Sequence, residues 1–280
     1  MEGETHMKQN VAELQATANI MRQDIVRMVN AAGSGHPGGS LSAADIVAAL
    51  YFNVMDIDPQ DPKKVNRDKF ILSKGHAAPV LYAALANRGF FAKEEMLKLR
   101  KFGAMLQGHP DMKGTPGVDM STGSLGQGIS TAVGMALANK IDGRENRVYT
   151  LLGDGEINEG LVWEALMAGA HYKLNNLTAI LDYNGLQIDG ANDDVMGIKP
   201  VDKKFASFGW NVIEIDGHDM DAILAAFEEA NKETEKPSVI LANTVKGKGV
   251  SFMEGDYGWH GQAPNDEQLA QALKDLGGDC

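Results

Sequence analysis

The sequence predicts an α/β fold with a doubly wound, mainly parallel sheet and helices on both faces. Two observations carry this prediction. Short apolar, strand-like runs alternate with segments of helical periodicity, and glycines separate the two kinds of segment. Such alternation is typical of strand–helix–strand units in parallel sheets. Neither repeats nor low-complexity tracts interrupt the 280 residues, so we expect one domain over residues 1–280. Residues 1–6 could be a vector remnant and are left out of this prediction.

The individual elements follow from the apolar spacing. Strands are predicted over 70–72, 148–152, 177–181, 212–215 and 238–245. Helices are predicted over 11–32, 42–53, 77–87, 93–102, 126–140, 161–172 and 221–235, with a last helix from about 265. The stretch 103–123 reads as a loop rich in glycine and proline, and loops of that length in compact domains are commonly functional.

Composition excludes several classes of protein. The formal net charge is −12, which argues against nucleic-acid binding, since such proteins normally carry a basic face. No apolar run approaches the roughly 20 residues that a membrane helix needs. The single cysteine is Cys280, so no internal disulfide or cysteine metal site is expected. The first ten residues do not resemble a signal peptide. We therefore expect a cytoplasmic protein.

Two polar residues each follow a predicted strand. Asp154, between two glycines, comes after the strand ending at 152, and Asn184 comes thirty positions later, after the next strand. Because parallel strands end at the same edge of a sheet, the two side chains should lie close together. Mg²⁺ prefers oxygen ligands and often keeps a phosphate in its shell. The helix expected to begin near Asn158 would point its amino end into the same crevice.

Other readings of these segments fit less well. An EF-hand loop beginning at Asp154 would need glycine at its sixth position and glutamate at its twelfth, where the chain has Glu159 and Ala165. The stretch 33–38 matches a dinucleotide-binding fingerprint, but it follows a predicted helix instead of a strand. Taken alone, the glycines around Asp154 are also compatible with an ordinary strand-to-helix turn.

Five of the seven histidines adjoin a glycine: His36, His76, His109, His218 and His260. None sits at the short spacing of a zinc site. Any one of them could be an ordinary surface residue, but several together on glycine-containing loops favour a functional site. Histidines there can donate to phosphates and sugar hydroxyls and move protons near neutral pH.

The order of these motifs resembles the amino-terminal, thiamine-diphosphate-binding half of transketolase. The matching segments run in sequence as SGHPGG (34–39), LSKGHAAP (72–79), QGHPD (107–111), STGSLGQGIS (121–130), GDG…N (153–184) and WHGQAP (259–264). They span nearly the whole chain. The resemblance implies thiamine diphosphate and Mg²⁺ as cofactors.

The resemblance also implies roles for single residues. Mg²⁺ would be held by Asp154, Asn184 and the Leu186 carbonyl. The diphosphate would lie against Gly155, His76 and His260, and the thiamine against Gly123 and Leu125. The sugar substrate would face His36, His109 and His260.

Some positions carry weaker or no assignments. Ser124 stands where many transketolases have proline, which should alter loop stiffness and leave the chemistry intact. Glu159 and Glu164 resemble the family's glutamate network at the subunit interface, although a solvated helix face would look the same. Lys246 and Lys248 could approach the diphosphate or belong to a solvated loop. His171 and His218 receive no role.

The chain ends where a full-length transketolase would continue into two further domains, which carry the glutamate that activates the cofactor. The resemblance therefore implies the amino-terminal subunit of a two-gene transketolase, working with a carboxyl-terminal partner as an α2β2 heterotetramer. It would transfer a two-carbon ketol unit from a ketose phosphate to an aldose phosphate, the reaction of the pentose phosphate pathway.

Three alternatives remain open at this point. A split enzyme of the same lineage acting on an unusual or sulfonated sugar would share every motif. A synthase joining pyruvate to glyceraldehyde 3-phosphate has a related half, but its motifs fit less well. A non-catalytic cofactor-binding or regulatory module is the third alternative, and intact Asp154 and Asn184 argue against it.

Overall fold

The fold is organised around a five-stranded parallel sheet. The computed structural model describes residues 8–278, so the expectations for residues 1–6 and Cys280 fall outside it. The strands of the main sheet are β1 (Lys69–Leu72), β2 (Val148–Gly153), β3 (Leu177–Tyr183), β6 (Asn211–Asp216) and β7 (Ser238–Asn243). A small antiparallel hairpin is formed by β4 (Leu186–Gln187) and β5 (Gly190–Ala191). The strand order is β1-β2-β3-β7-β6, with every neighbouring pair parallel.

Ten α-helices occur within residues 8–278. They are α1 (Val11–Ala32), α2 (Pro37–Ser42), α3 (Ala44–Ala49), α4 (Ala78–Arg88), α5 (Gln127–Ile141), α6 (Gly160–His171), α7 (Asn192–Val195), α8 (Val201–Ser207), α9 (Met220–Lys232) and α10 (Asp266–Asp275). Short 3-10 helices occupy Gly75–Ala77, Lys93–Lys98, Gly155–Asn158 and Tyr257–His260, and a π-helical turn occupies Leu50–Val54. Over the described part of the chain, no helix has both the length and the apolar character needed to cross a membrane.

Both faces of the sheet are buried, as a doubly wound fold requires. Along β2, Tyr149 and Leu151 point into one core, and Val148 and Leu152 point into the other. This alternation follows from the two-residue period of a strand. The first core contains residues of α1, α3, α4, α9 and α10, and the second contains residues of α5, α6 and α8. The predicted fold class is confirmed.

The long first helix is defined at both ends by its sequence. Asn10 and Glu13 form a reciprocal capping box at its start, which satisfies backbone donors that the first turn leaves unpaired. The helix ends at Gly33, which has φ 61°, the left-handed conformation that glycine adopts without strain. The chain then turns so that α2 begins directly after His36.

Two of the predicted helices were wrong in their extent. The helix expected over 42–53 begins earlier, at Pro37, and is divided into α2, α3 and the π-helical turn. The helix start was not predicted because the glycines there have a low helix propensity. A Cβ on Gly38 would lie 2.9 Å from the Trp259 carbonyl oxygen, so close packing favours glycine there. The helix expected over 93–102 is only a 3-10 helix that ends at Lys98.

Other differences lie near the carboxyl edge of the sheet. The helix expected from about Asn158 is preceded by a separate 3-10 turn that begins at Gly155. The Glu156 carboxylate accepts a hydrogen bond from the Gly153 N–H at 3.0 Å, which holds this turn against the end of β2. β3 continues to Tyr183, two residues further than expected, so Asn184 follows the strand directly. The hairpin, α7 and α8 were not predicted.

Candidate functional site

The loops that follow β2 and β3 meet at the carboxyl edge of the sheet. The two strands are paired so that Gly153 lies opposite Asp182, which brings Asp154 beside Asn184 and Gly185. The Asp154 side chain accepts hydrogen bonds from the Gly185 N–H at 2.6 Å and from the Gly155 N–H at 2.9 Å. The buried Asp154 carboxylate therefore joins the two loops.

The Asn184 amide is held at both ends. Its Nδ2 donates to the Asp182 carboxylate at 3.1 Å, and its Oδ1 accepts from the Leu186 N–H at 3.1 Å. The hairpin of β4 and β5 continues from this point, so the Leu186 carbonyl lies at the same edge. Asp154, Asn184 and Leu186 all line one cavity.

This donor set fits a magnesium ion in its chemistry, because it offers a carboxylate, an amide oxygen and a backbone carbonyl. Burial first, and the nearby Asp182 charge second, raise the pKa of Asp154 to about 6. Within residues 8–278, no Lys, Arg or His nitrogen forms an ion pair with this carboxylate. A bound cation would relieve both effects. Within the same residues, no cluster of three or more His, Cys, Asp or Glu side chains forms a metal site of another kind.

A cavity of about 180 Å³ opens beside these groups. Its lining residues come from α2, from the ends of β1, β2, β3 and β7 and the segments that follow them, from the loop before α5, and from the 3-10 helix Tyr257–His260. They are Gly39, Lys74, His76, Leu125, Gly153, Asp154, Gly155, Glu156, Asn184, Leu186, Gln187, Ile188, Lys246 and His260. The structure thus brings together most of the sequence-predicted cofactor residues. Gly123, His36 and His109 lie outside this lining.

Three histidine rings form a compact cluster at one side of the cavity. The ring centroids of His36, His76 and His260 are separated by 5.0 to 5.4 Å. Burial is the main cause that lowers the pKa of His36 to about 4 and that of His260 to about 3, with nearby cations adding to the effect. Burial also lowers the pKa of His76 well below its ordinary value. The cluster is therefore neutral at pH 7.

His109 and Gly123 approach each other just outside the lining. A Cβ built on Gly123 would lie 3.0 Å from the His109 ring, and Gly123 has φ 151°. Burial, followed by the Arg100 guanidinium, lowers the pKa of His109. Arg100 also donates to Ser34 Oγ at 2.8 Å and lies 3.4 Å from His36 Nδ1. The Arg100 charge therefore acts on both His36 and His109.

Lys246 contributes a buried ammonium group to the cavity. Its side chain is 3% exposed, and its Nζ lies 3.2 Å from His260 Nδ1 and 3.4 Å from the Leu186 carbonyl oxygen. Over the described residues, it forms no ion pair with a carboxylate. Burial lowers the pKa of Lys246 to about 8. A buried ammonium without a carboxylate partner favours an anionic ligand in this cavity.

Several residues of the site were missed by sequence reasoning. Lys74 and Glu156 line the cavity and are buried, as is Asp182 beneath Asn184. Glu156 accepts from Ser73 Oγ at 2.5 Å and from the Gly126 N–H at 2.9 Å. It therefore connects the loops that carry His76 and Leu125. Lys74 adjoins the glycine–histidine motif at 75–76, and that adjacency was the available signal.

The remaining sequence candidates lie elsewhere. Glu159 and Glu164 are exposed on the surface of this chain. Lys248 pairs with Glu254 at 3.6 Å near the surface, and exposed His171 packs against Tyr172. His218 Nδ1 donates to the Asp45 carboxylate at 2.7 Å, and His218 Nε2 accepts from the Val245 N–H at 2.9 Å, so His218 supports the loop that carries Lys246.

Comparison with known proteins gives a consistent result. A family model described as "Transketolase, thiamine diphosphate binding domain" matches residues 13–280. The 6-deoxy-6-sulfo-D-fructose transketolase subunit SqwG of a Clostridium species is 46% identical, over 96% of this chain and 98% of that protein. A subunit of the apulose-4-phosphate transketolase of Phocaeicola vulgatus is 42% identical, over 96% of this chain and 95% of that protein.

Longer relatives match over part of their length. Human transketolase is 43% identical over 96% of this chain but only 43% of its own length. Among solved structures, transketolase from Campylobacter jejuni superposes with a TM-score of 0.92 at 35% identity. That superposition covers 97% of this chain and 44% of the other.

Proposed function

Since this chain belongs to the transketolase family, as a thiamine-diphosphate-binding domain, we propose that it is the amino-terminal subunit of a two-subunit transketolase. The observation that carries the proposal is the cavity at the carboxyl edge of the sheet. It combines three oxygen donors suited to a metal with the Lys246 ammonium and two histidines suited to a diphosphate. Relatives named as subunits, which match almost end to end, support the division into two chains.

In this proposal Asp154, Asn184 and the Leu186 carbonyl hold Mg²⁺. Gly155 has no side chain, so its backbone allows close approach of the diphosphate. A Cβ there would lie 2.9 Å from Gln187 Cβ. Lys246, His76 and His260 neutralise or donate to the diphosphate. Leu125, Gly123 and the exposed Ile188 contact the thiamine rings.

Thiamine diphosphate, when bound, supplies the nucleophilic carbon and the electron sink that allow a ketose C–C bond to break. The protein groups around the substrate must then move protons. His36, His109 and His260 are neutral at pH 7 because burial lowers the pKa of each. A neutral imidazole can accept a proton from a sugar hydroxyl and return it. Arg100, beside His36, is placed to bind an anionic group of the sugar.

We propose that the active assembly contains two copies of this chain and two of a carboxyl-terminal partner. The partner would supply the glutamate that acts on the cofactor's aminopyrimidine, a role that we assign to no residue among 8–278. In that assembly exposed Glu159 and Glu164 would lie at the contact between subunits. The donor and acceptor would be ketose and aldose phosphates, with the partner contributing most of the selectivity.

A second candidate is a two-subunit transketolase that acts on a sulfonated sugar. It is favoured by one observation: a relative named for 6-deoxy-6-sulfo-D-fructose is 46% identical over 98% of its length. A sulfonate and a phosphate are both tetrahedral anions, so Arg100 would suit either of them.

The test is to purify this chain with its stoichiometric partner and assay ketol transfer. We expect a partner resembling the carboxyl-terminal half of transketolase, and activity only when both chains and Mg²⁺ with thiamine diphosphate are present. Xylulose 5-phosphate and 6-deoxy-6-sulfo-D-fructose would be compared as donors. Full turnover by this chain alone would refute the two-subunit proposal.

A further inference from the structure

Asp182 lies beneath the metal-binding loops and accepts hydrogen bonds from four side chains. It is fully buried, one residue before the end of β3. Its Oδ2 accepts from Lys74 Nζ at 2.5 Å, from Ser42 Oγ at 2.6 Å and from Asn184 Nδ2 at 3.1 Å. Its Oδ1 accepts from Thr244 Oγ1. The donors come from four separate segments, which fixes the carboxylate in place.

These four hydrogen bonds limit the roles that Asp182 can have. Its oxygens already accept four hydrogen bonds, so it is poorly suited to be a metal ligand itself. Ionised, it is an acceptor only, and it can bind the amide of Asn184 only through the NH₂ end. With Nδ2 engaged in this way, Oδ1 faces the opposite side, where it accepts one hydrogen bond from the Leu186 N–H and keeps a second lone pair for another partner.

Lys74 holds the Asp182 carboxylate in place through an ion pair. The Lys74 ammonium forms a buried ion pair with Asp182 Oδ2 at 2.5 Å, and both side chains are almost completely shielded from solvent. Lys74 is itself 2% exposed and also donates to the Gly39 carbonyl at 2.7 Å. The ion pair is therefore rigid as well as buried.

We propose that Asp182 is a positioning residue for the metal site, which orients the Asn184 amide so that its oxygen faces the ion, with Lys74 as its fixed counter-ion. This inference rests on the proposed function, because it requires Asn184 to bind the metal. Groups that orient metal ligands in this way affect affinity strongly, and their loss typically weakens metal binding by about 10- to 100-fold.

The test measures Mg²⁺ affinity by calorimetry in the presence of thiamine diphosphate, using the whole chain. We expect Asp182→Asn to weaken Mg²⁺ binding by about 10- to 100-fold. The diagnostic readout is a double-mutant cycle with Asn184→Ala. If Asp182 acts through Asn184, Asp182→Asn adds little to the loss already caused by Asn184→Ala. Unchanged affinity in Asp182→Asn, or fully additive losses in the cycle, would overturn the inference.

Two further variants distinguish a loss of the positioning role of Asp182 from the effect of an unpaired Lys74 charge. Asp182→Asn leaves Lys74 as an unpaired buried charge, so the double variant Lys74→Met/Asp182→Asn, which removes that charge, is measured beside it. Thr244→Val removes one donor to Asp182 without touching Asn184 and should leave Mg²⁺ affinity within about threefold. If Asp154→Ala and Asn184→Ala leave Mg²⁺ binding intact, the proposed function fails, whereas an effect in these two alone contradicts only the role of Asp182.

A measurement on the unaltered chain does not depend on any variant folding. The side-chain amide protons of Asn184, followed by NMR without metal, should exchange with solvent more slowly than those of exposed Asn158. Equally fast exchange at both positions would show that Asp182 does not hold the amide.

Discussion

Two buried carboxylates at the end of neighbouring strands are held in different states. Asp182 is paired with Lys74 and has a lowered pKa. Asp154 lacks a cationic partner within residues 8–278, and burial together with the Asp182 charge raises its pKa to about 6. The Lys246 ammonium offsets the negative charge of Asp154 only in part, so this buried carboxylate in the cavity is left without a cation paired to it among the described residues. A divalent cation is the simplest group that would compensate it.

We expect Asp154→Ala to weaken Mg²⁺-dependent binding of thiamine diphosphate by more than about 100-fold, since it removes the only carboxylate among the proposed ligands. Calorimetric titration of the cofactor, with and without Mg²⁺, measures this. Glu229→Ala, which removes an exposed carboxylate on α9, is the matched control and should bind as the unaltered chain does. Equal affinities in the two variants would remove Asp154 from the metal site.

At the scale of residues, the sequence predicted the functional side chains on the loops but not the buried charged side chains beneath those loops. Asp154 and Asn184 were predicted to be neighbours because each follows a strand. Asp182 was missed because it sits inside β3, where a lone charge in an apolar run carries no signal of its role. Lys74 was missed for a related reason, since its partner is distant in sequence and only the folded sheet brings the two together.

At the scale of elements, helix α5 contains two glycines in different environments. A Cβ on Gly128 would lie 2.5 Å from the Ser73 Cα, whereas one on Gly134 would meet nothing within 4 Å. Gly128 therefore permits close packing of α5 against the loop after β1, which carries His76. Gly134 lies on the exposed face of the same helix.

These two glycines give a matched pair of predictions. Gly128→Ala should lower the free energy of unfolding by about 1 to 3 kcal/mol, because the new methyl group collides with backbone. Gly134→Ala should raise it by about 0.4 to 1 kcal/mol, because alanine favours a helix and restricts the unfolded chain. Urea denaturation followed by circular dichroism compares both with the unaltered chain. Effects of the same sign would contradict this account of α5.

The elements that sequence could predict are those with a full period of apolar residues. All five strands of the main sheet and the helices α1, α4, α5, α6 and α9 were predicted within a few residues. The short helices α2, α7 and α8 are too brief to show a helical period. The segment after Lys98 departs from a helix because Arg100 adopts φ 61° and donates its N–H to the Leu106 carbonyl, a tertiary contact that no local pattern shows.

At the scale of the whole molecule, the neutral histidines make the stability of the fold depend on pH. The pKa of His36 is lowered to about 4 and that of His260 to about 3, against about 6.5 in an unfolded chain. Between pH 6.5 and pH 4, the unfolded state therefore binds protons that the folded state excludes. The contribution of these histidines to stability is retained above pH 6.5 and falls as the pH decreases below it.

The double variant His36→Gln/His260→Gln tests this linkage. Without the two imidazoles, the loss of stability between pH 7.5 and pH 5 should be smaller than in the unaltered chain. Urea denaturation of the cofactor-free chain at pH 7.5, 6.5, 5.8 and 5 measures the slope. His171→Gln, which alters an exposed histidine, is the control and should keep the original slope. If both variants show that slope, the two buried histidines are not the cause.

The groups that surround the cavity are drawn from almost the full length of the described chain, from Gly39 to His260. Synthesis must therefore have passed His260 before all the residues around the cavity are present. We therefore expect the cofactor to bind only after these segments have been synthesised and folded together. Once bound, the cofactor would connect segments that are synthesised far apart in time.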